Sequence, residues 1–470
     1  MDDRLNHPDR LFPADPRSRQ IARELYASIR DLPIVSPHGH CDPRWFAGDA
    51  GFRDPAALLV QPDHYVLRML VSQGVPLESL VSIPEAETGD VRQRRIWRLF
   101  AERYHLFLGT PTRMWLDHGF EHLFGLTEPP GASNADSVFD RISDMLRRPS
   151  FRPRALFDQF RVEFLATTED ALDPLSEHSA IAASGWPGRV VTTYRPDSVT
   201  DPDHEGFIRN LEILSGITGC DVSSWDGYLE AHRRRREVFR KHGAVATDHG
   251  TPLPVTADLS DSECHSLWER VRTGRADDRD AEWFRGQMLT EMARMSVEDG
   301  MTMQIHPGSW RNHSRDVMAR FGRDMGFDIP QRADFVGGLQ PLLNAVGHEP
   351  GLRIIVFTLD EATLGRELAP LAGAYPALFL GPAWWFFDSP DGMRRFREMT
   401  TETAGFWNTA GFNDDARSLA SIPARHDMAR RVDCAFLAER VADHRLSEID
   451  AHAIALTLTV ELPKRAYGLE

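Results

Sequence analysis

The chain has 470 residues, 41% hydrophobic and 26% charged, proportions that suit a soluble globular protein of one large domain with an insertion, or of two or three domains. Its formal net charge of −16 argues against nucleic acid and anionic membrane as partners, and any anionic substrate would need a local cluster of arginines. No apolar run approaches the roughly 18 residues of a membrane span, the first residues lack a signal-peptide core, and Cys41, Cys220, Cys264 and Cys434 form no CxxC pair; a reduced, cytoplasmic protein is expected.

In chain order, a helical stretch at 17–30 leads into the apolar run 32–36, a candidate strand followed by His38-Gly39-His40. Alternate residues of a strand share one face, so both imidazoles can point at one metal ion, although a lone His-x-His pair is a weak signal. Cys41, next in the chain, reads as a small buried filler rather than a third ligand. The following roughly 120 residues are far too many for an ordinary connection. Helical periodicity at 63–73, 92–107, 113–124 and 135–146 predicts a largely helical insertion above a barrel mouth. Asp63-His64-Tyr65 in this insertion could project into a site, but the pattern alone favours Asp63 as a helix N-cap.

Seven further strand-like runs follow, at 162–167, 189–194, 244–247, 302–305, 352–358, 377–380 and 409–412. Helical stretches such as 224–242, 281–300 and 391–405 separate most of them. Eight alternating units predict an α/β protein built on a (β/α)8 TIM-like barrel. A doubly wound sheet is the competitor, and the glycine-rich turn it often carries is absent. The expected organisation is a first strand within 1–40, the insertion at 41–160, the rest of the barrel at 161–430 and a helical C-terminus at 431–470. The four arginines Arg233–Arg236 read as a solvated helix face.

Chemistry-bearing residues gather just past the strands. They are His38 and His40 after the first, Glu169 and Asp170 after the second, and Arg195 and Asp197 after the third. Asp248 and His249 follow the fourth, His306 the fifth, Asp360 and Glu361 the sixth, Trp384 and Trp385 the seventh, and Asp414, Asp415 and Arg417 the eighth. Barrel enzymes place their sites at this end of the strands. Loop polarity alone accounts for Glu169 or Glu361, but less well for the recurrence of His, Asp and Arg.

Taken together, Ser36-Pro37-His38-Gly39-His40, Asp63-His64-Tyr65, Ala166-Thr167-Thr168-Glu169-Asp170, Tyr194-Arg195-Pro196-Asp197, Asp248-His249, Gln304-Ile305-His306-Pro307-Gly308, Trp384-Trp385-Phe386 and Asn413-Asp414-Asp415-Ala416-Arg417-Ser418 resemble, in order, the uronate isomerase family of the amidohydrolase superfamily. The resemblance implies a distorted barrel that interconverts D-glucuronate with D-fructuronate and D-galacturonate with D-tagaturonate, with one divalent metal, usually zinc. It puts His38, His40 and Asp415 on metal-ligand positions. Tyr65, Arg195, Asp248, His306 and Arg417 fall on active-site positions, and Trp385 in a substrate loop. Arg311 joins Arg195 and Arg417 as a candidate clamp for the substrate carboxylate, because a guanidinium fork pairs with a carboxylate in two bonds. His64 and His249 are taken as further substrate contacts, and Tyr65 or Asp415 as the base for the carbon-bound proton. A bridging lysine after the fourth strand and a histidine after the sixth, common in related hydrolases, are missing, which disfavours a binuclear hydrolase of a cyclic amide, lactone or ester. A non-catalytic sugar-acid-binding barrel is the remote alternative. Thr358-Leu359-Asp360-Glu361 also stands where some uronate isomerases carry an arginine, and a homo-oligomer is the expected assembly.

Overall fold

A computed structural model describes residues 5–81 and 89–469. Seven of the eight expected strands are present and form a continuous parallel array. The first (Ile34–Ser36) pairs with Val162–Ala166. The second and third staves are each broken into two short pieces, Val162–Ala166 with Glu169–Asp170 and Val190–Val191 with Tyr194–Arg195. Backbone bonds from Thr167 to Val191 (2.8 Å) and from Glu169 to Thr193 (3.1 Å) carry the pairing across the breaks. Ala246–Thr251, Thr302–Pro307, Ile354–Val356 and Leu378–Leu380 continue the array. The eighth stave is reduced to a parallel bridge between Thr409 and Leu380. No ladder joins it to the first among the described residues; one backbone bond, His40 N–H to Ala416 O at 2.9 Å, spans that gap. The barrel is therefore distorted, and its open seam lies between the segments that carry His38, His40 and Asp415.

The helices follow from their local chemistry. The first, Pro16–Ile29, has proline in its first turn and Asp15 as N-cap, and its buried face is Ile21, Ala22, Leu25 and Ile29. Between strands one and two lie helices that include His64–Ser72, Asp90–Glu102, Pro111–His118 and Ala135–Leu146. Their fully buried Trp97, Phe100, Phe107 and Phe120 share one apolar core with Ile34, Val162 and Leu165 of the strands. The C-terminal end of the chain enters the barrel core, where Tyr467 donates to Gln304 Oε1 (2.7 Å) and accepts from Asn413 (3.2 Å). Among the described residues no helix is long and apolar enough to cross a membrane.

The structure corrects the reading of the arginine run. Arg233 and Arg234 do face solvent, but Arg235 and Arg236 are buried. Arg235 donates to the carbonyls of Ala171 (2.8 Å) and Asp173 (2.7 Å), and Arg236 to Asp299 (2.7 and 2.9 Å). A buried guanidinium persists when its donors find partners, and here half of the run fastens its helix to neighbouring elements.

Candidate active site

The C-terminal ends of the strands surround a cavity of about 800 Å³. At its floor, Asp415 Oδ1 stands 3.2 Å from His40 Nε2 and 3.5 Å from His38 Nε2. Ligands held tetrahedrally at about 2.0–2.1 Å from a zinc ion stand about 3.3 Å from one another, so this spacing fits a small divalent cation. Asp415 Oδ2 is anchored by the indole N–H of Trp384 at 3.0 Å. Burial holds His40 below the usual imidazole range, and the adjacent imidazoles hold Asp415 well below the carboxylate range despite its burial. Neutral imidazole and ionised carboxylate are the forms that bind a metal. The donor set is thus suited to a metal ion.

A second buried group adjoins it. His306 stacks on His38 at 4.7 Å and on Phe357 at 4.0 Å, and its Nδ1 lies 2.7 Å from Asp248 Oδ1. Asp248 Oδ2 is 3.1 Å from Arg195, whose Nε donates to Asp197 at 2.8 Å. Asp197 Oδ1 accepts from the backbone of Gly250 at 3.1 Å; a Cβ at Gly250 would come within 2.7 Å of the Arg195 and Asp197 side-chain tips and would have to displace them. The result is a buried row, Asp197–Arg195–Asp248–His306. Burial pushes His306 down to about 4, and it is neutral at pH 7. His38, Asp248 and His306 also place three donor atoms close enough to share a cation, with His38 common to both sets.

The insertion supplies the opposite wall. Asp63 caps the helix His64–Ser72, accepting from the backbone of Tyr65 (2.8 Å) and Val66 (3.3 Å). The cap and the site are thus both served by one tripeptide. Tyr65 stacks on His64 (4.4 Å) and donates to the carbonyl of Trp385 (3.3 Å). Arg425 lies 5.6 Å from the Tyr65 ring, but burial outweighs it and keeps the phenol well above its ordinary range. Trp385 and Asp415 both have left-handed backbone (φ 52° and 44°), a conformation costing on the order of 1–3 kcal/mol that clusters at functional sites.

Three arginines were expected to bind a carboxylate, and their environments differ. Arg195 is already compensated by Asp197 and Asp248. Arg311 lies over the Trp385 ring (5.3 Å) and 3.3 Å from Asp328. Arg417 lines the cavity beside Asp415, with a carboxylate no nearer than Asp324 at 3.7 Å.

His249 is not part of this wall. It follows Asp248 on the strand, so it points to the opposite face, where it hydrogen-bonds Thr247 Oγ1 (2.8 Å) and faces Arg285 and Met288. Cys41 is a buried filler, with its thiol against the carbonyl of Ala416. Past the sixth strand, Thr358 bonds the backbone of Asp360 and Glu361 pairs with Arg395, so neither acidic residue enters the cavity. Sequence reasoning left Asp170, Arg323 and Asp324 unassigned, though all line the cavity. Asp170 obeys the strand-end rule that found the others. Arg323 and Asp324 arrive on the 311–328 connection of a small hairpin, Ser309–Trp310 with Ile329–Pro330, which no periodicity marks.

A family model described as glucuronate isomerase matches residues 17–457. A uronate isomerase of Mesorhizobium japonicum is 61% identical over 466 residues, covering 99% of each chain. The crystal structure of glucuronate isomerase from Caulobacter crescentus superposes with a TM-score of 0.96 at 54% identity, covering 99% of this chain and 97% of that one. That of a uronate isomerase from Thermotoga maritima gives 0.90 at 26% identity, covering 98% and 99%. Sequence and architecture therefore agree over essentially the whole length, and the chain belongs to the glucuronate isomerase family.

Proposed function

We propose that the protein interconverts D-glucuronate with D-fructuronate, and D-galacturonate with D-tagaturonate, by moving the C2 proton to C1 through a cis-enediol. The observation that carries this reading is the convergence of His38, His40 and Asp415 on one point, with the lightly compensated Arg417 two residues further along the same loop. His38, His40 and Asp415 would hold one divalent metal, with zinc favoured by the nitrogen and oxygen donors. When bound, the metal supplies Lewis-acid polarisation of a substrate oxygen.

Arg417 is suited to the distal carboxylate, with Arg311 as a second donor above Trp385. The carboxylate of Asp415 is the base for the C2 proton and returns it to C1. Tyr65 keeps its phenolic proton under burial, so its role is to donate that proton to the carbonyl oxygen at C1 as the enediol forms. His306 is neutral, and Asp248 at its Nδ1 leaves Nε2 free to accept the proton of the C2 hydroxyl; that proton returns through solvent to Tyr65, restoring both groups for the next turnover. Arg195 and Asp197 hold Asp248 in place.

The reading is tested by following metal-loaded protein with D-glucuronate by NMR. D-fructuronate is expected to accumulate to an equilibrium ratio. Hydrolysis of a uronate lactone without ketose formation would replace the isomerase reading with the hydrolase one.

A further inference from the structure

A second cavity, of about 560 Å³, lies away from the barrel mouth. It is walled by the end of the first helix, the starts of strands one and two, part of the insertion and the first half of the helix Ile422–Ala442. Five arginines line it (Arg10, Arg30, Arg161, Arg430 and Arg431) against the three carboxylates Asp31, Glu121 and Asp427. Counting arginines against carboxylates, this wall carries an excess of two positive charges (five minus three) in a chain whose net charge is −16.

The carboxylates are already engaged. Asp427 accepts from Arg10, Arg431 and Tyr26. Glu121 accepts from the backbone of Asn6 at 3.0 Å, and Asp31, at the exposed rim, faces both Arg30 and Arg161. Arg430 is different. It is 93% buried (7% exposed), and its Nη atoms donate only to the carbonyls of Arg30 (2.8 Å), Leu32 (3.0 Å) and Pro33 (2.9 Å). Its Nε has no hydrogen-bond partner. Carbonyls satisfy donors but do not cancel the charge, and a buried cation with no carboxylate in direct contact is costly, even with Asp427 and Asp31 nearby.

We propose that this cavity is a second ligand site, separate from the catalytic mouth, for a small molecule bearing a dianionic phosphoryl group. A dianion matches the excess of two positive charges, guanidinium groups pair with phosphate oxygens by charge-assisted bonds, and the volume falls within the range of small-molecule sites. The ligand would take the rim guanidinium groups of Arg30 and Arg161, with Arg430, which has no carboxylate on its guanidinium, adding positive charge behind them.

The test is calorimetric titration of metal-loaded protein with inorganic phosphate after equilibration with saturating D-glucuronate, which keeps phosphate off the arginines of the mouth. One phosphate per chain is expected. Arg430→Gln should weaken it about tenfold or more by removing a buried positive charge, and Arg30→Gln about threefold by loss of a charge-assisted bond. Absence of saturable binding up to about 20 mM would overturn the proposal, since weaker binding falls outside any specific site. So would binding that vanishes once the sugar saturates the mouth, or that is unchanged in both variants. Arg30 is exposed and makes a single side-chain ion pair, so Arg30→Gln decides the matter if Arg430→Gln does not fold.

Discussion

Two buried polar assemblies in this protein have opposite finish. Behind the barrel, Asp427 gathers Arg10, Arg431 and Tyr26, and the remaining donors of Arg431 reach the Pro8 carbonyl (2.7 Å) and the Tyr26 hydroxyl (3.1 Å). At the mouth, His38 Nδ1, His64 Nε2, His306 Nε2 and Trp385 Nε1 are buried without a hydrogen-bond partner. Native interiors seldom tolerate such atoms, and a group of them in one place marks where something else completes the bonding. The first assembly is a fastening between the N-terminal segment and a C-terminal helix. The second is poised for a ligand. Arg430, beside the first, has carbonyls but no carboxylate on its guanidinium, and the second-site proposal rests on that charge and on the arginines around it.

The contrast is broken most severely at the floor of the mouth. His38→Ala is expected to reduce the bound metal to trace and lower kcat/KM about 10³-fold or more, with elemental analysis and a ketose assay as the measurements. Full metal occupancy in that variant would remove His38 from the ligand set. Asp427→Asn attacks the fastening instead. It leaves buried guanidinium groups uncompensated and should cost about 3 kcal/mol of stability in denaturant titration. Its kcat should stay within about twofold of the parent, because Asp427 stands outside the mouth. A collapse of kcat with little loss of stability would erase the distinction between the two assemblies.

Arg417→Met should raise KM for the uronate about 100-fold by removing charge-assisted bonds to the carboxylate. An unchanged KM would pass the clamp to Arg311. Tyr65→Phe should slow turnover about tenfold while C2-proton exchange with solvent continues, since the base is retained. Exchange and turnover lost together would make Tyr65 the base.

The smallest effect concerns Glu169, buried behind the second strand with Thr192 donating to it. Burial pushes its carboxyl from 4.5 up to about 7. The folded chain therefore binds more protons than the unfolded chain between those values, and stability falls as pH rises through that window. Glu169→Gln should stabilise the protein by on the order of 2 kcal/mol at pH 8 and have little effect at pH 4, read as melting temperature against pH. An equal gain at both pH values would refute the ionisation account.

Much of this was legible in the chain. Strand and helix periods are local, so seven strand positions, the bridge that stands for the eighth and the helices at 64–72 and 135–146 could be read from spacing, and the strand-end rule led to His38, His40, Asp248, His306 and Asp415. Three things required the tertiary structure. His249 and Asp248 are adjacent and chemically alike in spacing, and only the direction of the strand sends one to the mouth and the other outward. Arg235 and Arg236 carry the same side chain as exposed Arg233 and Arg234, and their burial depends on which carbonyls and carboxylates the neighbouring elements bring near. Arg195 and Arg417 both stand at the C-terminal ends of the staves, yet the first is compensated by two carboxylates and the second is left available. Sequence sets which groups the chain can offer at each position, because periodicity and propensity are local. Which of those groups remain unsatisfied, and so can act, is decided by long-range packing.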